Sequence, residues 1–242
     1  SAVRQLFETV RPSILFHLAS RSRPGRDLGE FSLQTRDTIM PAINLARFVP
    51  QNIELAVFTG SCEEYGNGAA PFAESDRLIP FSPYGWGKIA AQSAVSTIAR
   101  NRNLPWCWIR PFLTFGPSQD GNALVPSLIQ GCLRNESVRL SPGEQTRDFI
   151  YVKDLCKMME AIICNPDQSK GRLLNLCSGT PRSVRSVAEL ICAKVGAGKL
   201  LFGALPYREN EAMSFFGSVD KFNKVIGPIP RTPLEDALTE TI

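Results

Sequence analysis

The chain has 242 residues, with 27 lysines and arginines against 23 aspartates and glutamates, one histidine and seven cysteines. That length fits one large domain or two small ones around a sizeable core. A net charge of +4 without a run of five like charges argues against a nucleic-acid partner. No apolar stretch approaches the roughly 18 residues that span a bilayer, so no membrane partner is expected, and the amphipathic segment Ser1 to Arg11 does not read as a signal peptide.

In chain order, residues 1–9 read as the tail of a helix, and 13–19 as a short buried strand after Pro12. Leu33, Ile39, Ile43 and Ala46 give a helix over 33–48, and Ile53 to Thr59 a second strand. A loop rich in Gly, Ser and Pro occupies 60–83, followed by a helix over 84–101 and a strand over 105–111. Next come a loop at 116–121, a helix near 123–134, a short strand near 137–140, and a strand at 148–152 leading into a helix at 153–165. A strand at 172–177, a helix at 183–195, a small strand near 199–203 and two short helical stretches in 218–242 complete the chain. Alternating strands and helices imply an α/β fold with a parallel sheet covered on both faces. Such sheets bind ligands at the carboxyl ends of their strands, which directs attention to Ala19-Ser20-Arg21, Thr59 to Gly66, Arg110 to Leu113, and Cys177-Ser178-Gly179.

Cys62, Cys107, Cys132, Cys156, Cys164, Cys177 and Cys192 are odd in number, scattered and free of C-x-x-C spacing. They read as reduced thiols in a cytoplasmic protein that binds no metal. His17, alone in an apolar run, argues against a Ser-His-Asp triad and against a multi-histidine metal site.

The pair with chemical promise is Tyr84 and Lys88 in Pro83-Tyr84-Gly85-Trp86-Gly87-Lys88. Four residues apart, they share one helix face. An ammonium near a phenol lowers its pKa, making Tyr84 a candidate acid/base for interconverting a hydroxyl and a carbonyl. Alone, Y-x-x-x-K occurs often by chance and would read as a surface pair. Ser61, just past a strand end and able to bond a substrate oxygen, makes the combination far rarer.

Five segments, in order, resemble the extended short-chain dehydrogenase/reductases, in particular the NAD(P)-dependent nucleotide-sugar epimerases, dehydratases and 4-keto reductases. Val10 to Ala19 resembles the strand ending H-L-A-A, Phe58 to Gly66 resembles S-S-S-x-x-Y-G, and Ser82 to Lys88 resembles S-P-Y-x-x-S-K. Arg110 to Pro117 resembles R-P-F-N-V-Y-G-P, and Arg147 to Asp154 resembles R-D-F-I-H-V-x-D. The resemblance implies a Rossmann-type doubly wound parallel sheet and a smaller C-terminal substrate-binding α/β region. The implied boundary falls at 118/119, with 148–177 returning to the core sheet. It implies Tyr84 as acid/base, Lys88 on the nicotinamide ribose and Ser61 on the sugar oxygen. Leu18, Ala19, Ser20, Thr59, Pro111 and Phe112 would line the NAD or NADP. Leu113, Leu124, Arg147 and Arg208 would meet a nucleotide-diphosphate sugar, the arginines gripping its phosphates. Without the resemblance, Arg147 would read as a salt bridge to Asp148 and Arg208 as a solvated loop charge. A homodimer through helices 33–48 and 84–101 is also implied.

The sequence departs from the family at three points. No strand–Gly-x-x-Gly-x-x-Gly–helix unit occurs, so the dinucleotide fold is expected to be N-terminally incomplete, as in a truncated chain. Thr38 stands where the family has the asparagine of its N-V-x-G-T stretch, and Leu113 where an asparagine follows R-P-F. Dehydratases need a carboxylate pair after the Ser/Thr, and here Cys62 and Glu63 occupy those places. With only Glu63 available as a base, an epimerase or 4-keto reductase ranks above a 4,6-dehydratase (a lyase). A non-catalytic relative that binds nucleotide or a partner is the contrasting reading.

Overall fold

The computed structural model describes residues 2–22 and 25–242. Ser1, the first residue of the expected helix 1–9, lies outside them. The N-terminal part carries α1 (Ala2–Val10), β1 (Ile14–His17), α2 (Glu30–Gln34), a π-helical turn (Thr35–Ile39) and α3 (Met40–Phe48). Then follow β2 (Leu55–Thr59), α4 (Pro83–Arg102), β3 (Trp106–Pro111) and β4 (Leu113–Phe115). The C-terminal part comprises α5 (Leu124–Leu133), β5 (Ser137–Arg139), β6 (Thr146–Tyr151), α6 (Val152–Cys164), α7 (Pro166–Ser169) and β7 (Arg172–Leu176). It closes with β8 (Pro181–Ser183), α8 (Val184–Val195), β9 (Lys199–Leu201), β10 (Ser214–Phe215), α9 (Asp220–Val225) and α10 (Leu234–Thr241).

Four parallel strands in the order β1-β2-β3-β7 form the central Rossmann-type sheet. Alternation along β2 and β3 explains why it is covered twice. Ala56, Phe58 and Trp108 face α1, α3 and α4, packing on Phe7, Ala42, Ala46, Ala91 and Val95. Leu55, Val57, Cys107 and Ile109 face α6 and α9, packing on Met158, Ile162 and Phe222.

Strand β6 is not in this sheet. Of the span 148–177 only β7 is a strand of the central sheet, with α6 covering one face. β6 instead pairs in parallel with β4 and β10 and antiparallel with β8. The sequence signal, an apolar run before a helix, describes strand and helix but not which sheet the strand joins. A separate core of Phe115, Val125, Leu128, Phe149, Tyr151, Val187, Ile191 and Leu238 lies between this second sheet and α5, α8 and α10. Within the 60–83 segment Gly66 bridges to Ile79, and Phe72 bridges outward to Gly217. Among the described residues no helix is long and apolar enough to cross a membrane.

Candidate active site

Ser61 is placed by a turn that needs two small residues. Its hydroxyl accepts from the Glu63 N–H (3.2 Å) and the Glu64 carboxylate accepts from the Ser61 N–H (2.9 Å), a capping box on the short turn Cys62–Glu64. A Cβ on Gly60 would lie 2.1 Å from Glu64 Oε1 and 2.2 Å from Trp108 Nε1, so this carboxylate can reach the strand end only beneath a glycine. Helix α4 starts at the same place. Ser82 caps it by accepting from Gly85 N–H (3.0 Å), with Pro83 at its first turn. Gly85 lets the helix sit on the turn, because a Cβ there would meet the Glu63 carbonyl oxygen at 2.5 Å.

The packing brings the Tyr84 phenol near enough to the Ser61 hydroxyl for that hydroxyl to favour the ionised phenol. Lys88 lies one turn further along, 3% exposed, with Nζ 5.7 Å from the Tyr84 ring centroid and donating to the Thr59 carbonyl at 2.6 Å. Burial pushes the Lys88 ammonium down to about 8, partly opposed by the charge of Glu64. The expected lowering of the phenol pKa is not found. Burial pushes Tyr84 up to about 12, and the Ser61 hydroxyl pulls the other way. Burial of the phenol, which disfavours the phenolate, is the larger effect.

Other expected residues divide into groups. Leu18 and Ala19 are exposed and Ser20 half-buried, just beyond the carboxyl end of β1. Pro111 is half-buried at the end of β3. Phe112 is 3% exposed and belongs to an aromatic cluster with Tyr65, Phe72 and Phe215. Leu113 and Leu124 come together with Thr114, Gln119 and Phe149 around a small cavity of about 70 Å³. Arg147 does not pair with Asp148. Its guanidinium binds Glu211 and donates to the carbonyls of Thr146 (2.7 Å) and Ala212 (2.8 Å). Asp148 is buried and accepts backbone N–H groups of Ser178 (2.7 Å), Gly179 (3.0 Å) and Gly217 (3.3 Å). Arg208 is exposed. Glu63 is half-buried, accepts from Ser82 Oγ at 3.4 Å, and has its pKa raised by burial against the opposing charges of Arg208, Arg147 and Arg26. Thr38 donates to Gln34 Oε1 (2.7 Å) and accepts from Arg21 N–H (3.3 Å), while Gln34 donates to the Arg21 carbonyl (2.9 Å). Together they clamp the backbone that leaves β1.

Residues 1–177 match the NAD dependent epimerase/dehydratase family. The chain belongs to this family of NAD-dependent enzymes. It is 24% identical over 234 residues to YtcB, an uncharacterized UDP-glucose epimerase of Bacillus subtilis, covering 95% of this chain and 73% of that one. It is likewise 24% identical to the UDP-glucose 4-epimerase of Halalkalibacterium halodurans, covering 97% and 76%. Among solved structures, MoeE5 in complex with UDP-glucuronic acid and NAD superposes with a TM-score of 0.89 at 25% identity, covering all of this chain and 81% of that one. The chain therefore spans about three quarters of these epimerase/dehydratase relatives.

The ribose end of the nicotinamide cofactor that the family name implies fits the residues present. Thr59 Oγ1 is buried without a hydrogen-bond partner, and Lys88 has three N–H donors with one given to a backbone carbonyl. Both could be satisfied by ligand hydroxyls. The pyrophosphate end has no matching glycine-rich turn in this sequence.

The sequence reading missed the support beneath the site. Glu64, fully buried, accepts from Arg110 Nε (2.7 Å) and Trp108 Nε1 (3.1 Å) as well as from Ser61. Arg110 Nη1 donates to the Tyr65 hydroxyl (3.2 Å), which donates to Asn175 Oδ1 (2.6 Å). A signal was available: an arginine ending an otherwise apolar strand needs a buried partner, and Glu64 stands three residues from Ser61 in capping-box spacing.

Proposed function

We propose that this epimerase/dehydratase member interconverts a hydroxyl and a ketone on a nucleotide-diphosphate sugar, as a 4-epimerase or 4-keto reductase. The observation that carries this reading is the Ser61 hydroxyl close enough to the Tyr84 phenol to act on its ionisation, with the Lys88 ammonium 5.7 Å from the Tyr84 ring and one helical turn away. NAD, when bound, supplies the hydride acceptor and donor. Tyr84 Oη exchanges the proton of the sugar oxygen, and Ser61 Oγ hydrogen-bonds that same oxygen and holds it against the phenol. Lys88 binds the ribose hydroxyls. With its pKa near 12, Tyr84 is neutral at physiological pH, the form that protonates a ketone oxygen. Leu18, Ala19, Ser20, Thr59 and Pro111 line the cofactor. Leu113 and Leu124 bound the substrate on its apolar side. The charge of Arg208 disfavours the charged form of Arg147, which is paired with Glu211, and two neighbouring guanidinium groups suit a diphosphate.

A dehydratase is disfavoured because Cys62 is buried and its thiol pushed well above the usual range by burial, so Glu63 has no acid partner beside it. A non-catalytic relative that binds nucleotide or a partner is the contrasting reading.

The test is calorimetric titration of NAD into the chain, followed by NMR of UDP-glucose and UDP-glucuronic acid incubated with chain and NAD. We expect weak NAD binding, since this sequence offers the pyrophosphate no glycine-rich turn, and appearance of the C4 epimer. Tyr84→Phe should cut turnover by about 10²–10⁴-fold without changing NAD affinity, and Lys88→Ala should weaken both. Unchanged turnover in Tyr84→Phe removes the acid/base role, and NAD binding without conversion of either sugar favours the contrasting reading.

A further inference from the structure

A cavity of about 210 Å³ lies away from Ser61, Tyr84 and Lys88, between the second sheet and the start of α10. Phe115, Phe149 and Tyr151 form one wall, while Arg231, Arg182 and Thr180 supply polar groups. Arg182 and Thr180 are exposed and stand at the rim; Arg231 is half-buried.

The electrostatics are unbalanced. Arg231 donates from Nη1 to the Ile229 carbonyl and from Nη2 to the Cys177 carbonyl, each at 3.1 Å, and its Nε is buried with no partner. A guanidinium has five N–H donors, so three are unused. Among the described residues neither Arg231 nor Arg182 forms an ion pair. The cavity's one carboxylate, Asp154, is spent elsewhere: it accepts from Thr232 N (2.7 Å) and Oγ1 (2.9 Å) and pairs with Lys157 (3.1 Å). A partly buried arginine without a counter-charge is costly unless an anion joins it. The volume sets the size of that anion, since a dry cavity of about 150 Å³ holds a benzene ring.

We propose that this cavity binds a small organic anion, a phosphate or carboxylate on a ring-sized apolar body. The body lies against Phe115, Phe149 and Tyr151, and the anionic group lies between Arg231 and Arg182 with Thr180 Oγ1 donating. This site is separate from the proposed active site and does not depend on the reading given to it.

Phenyl phosphate, with inorganic phosphate as the bare anion, tests it. Calorimetry on the full chain at 150 mM NaCl should give saturable 1:1 binding of phenyl phosphate, at least tenfold tighter than inorganic phosphate. Arg182→Gln, a change at an exposed position, should weaken it about tenfold, and Tyr84→Phe should leave it unchanged. Arg231→Lys keeps the charge but loses the fork, and should weaken binding if it folds. No saturable binding, equal binding by Arg182→Gln, equal affinity for the two probes, or displacement by UDP-glucose would each overturn the proposal.

Discussion

His17 closes β1 against the edge of Phe58, ring centroids 5.9 Å apart, and burial together with the positive charge of Lys88 pushes its pKa down to about 4. The unfolded chain, with histidine near 6.5, binds this proton first as pH falls, so stability is present above 6.5 and lost between 6.5 and 4. Because His17 is the only histidine, its share is separable. Urea unfolding of His17→Leu should lack a loss of about 3 kcal/mol that the parent shows between pH 7 and 4. Parallel pH profiles for the two proteins would place the histidine's titration outside the folded state. At this scale the sequence was uneven. Tyr84 and Ser61 were legible because their spacing is rare, whereas the partner of Lys88, a strand carbonyl 29 residues away in the chain, leaves no pattern.

The turn Cys62–Glu64 and strand β3 are locked by an ion pair in which Arg110 is 1% exposed and Glu64 fully buried. Removing one partner strands the other charge, so Glu64→Gln should cost about 3–5 kcal/mol, measured by urea denaturation. Replacing both, with Glu64→Gln and Arg110→Met, should recover much of that loss. A cost under about 1 kcal/mol for the single change would mean that water reaches the pair. Element types were readable from periodicity: α4 spans Pro83–Arg102 where 84–101 was expected. Helix 33–48 begins earlier, at Glu30, and passes through a π-helical turn at Thr35–Ile39. Neither the early start nor the extra residue per turn alters a 3.6-residue pattern enough to be seen. Strand partners are decided by distant contacts, which is why the expected return of 148–177 to the core sheet divides, with β7 in the central sheet and β6 in the second.

Across the whole molecule, helices α2 to α4 leave Phe31, Met40 and Trp86 exposed. A second copy pairing through these helices would cover such side chains. Sedimentation equilibrium at micromolar concentration is expected to give twice the chain mass of 26.7 kDa, and Met40→Glu to shift it toward the monomer. A monomer at all concentrations would count against this pairing. The two-sided central sheet was legible from alternation alone, since each strand carries apolar residues on both faces. The aromatic cluster that swallows Phe112 was not, because Tyr65, Phe72 and Phe215 reach it from three separate segments.

Asp148 ties these levels together. One carboxylate, rooted in β6, holds the loop leaving β7 and the segment after β10. This acidic side chain thus links the central sheet to the second sheet. Protonating that carboxylate weakens the acceptor shared by three backbone N–H groups, so acid loosens the link between the two sheets.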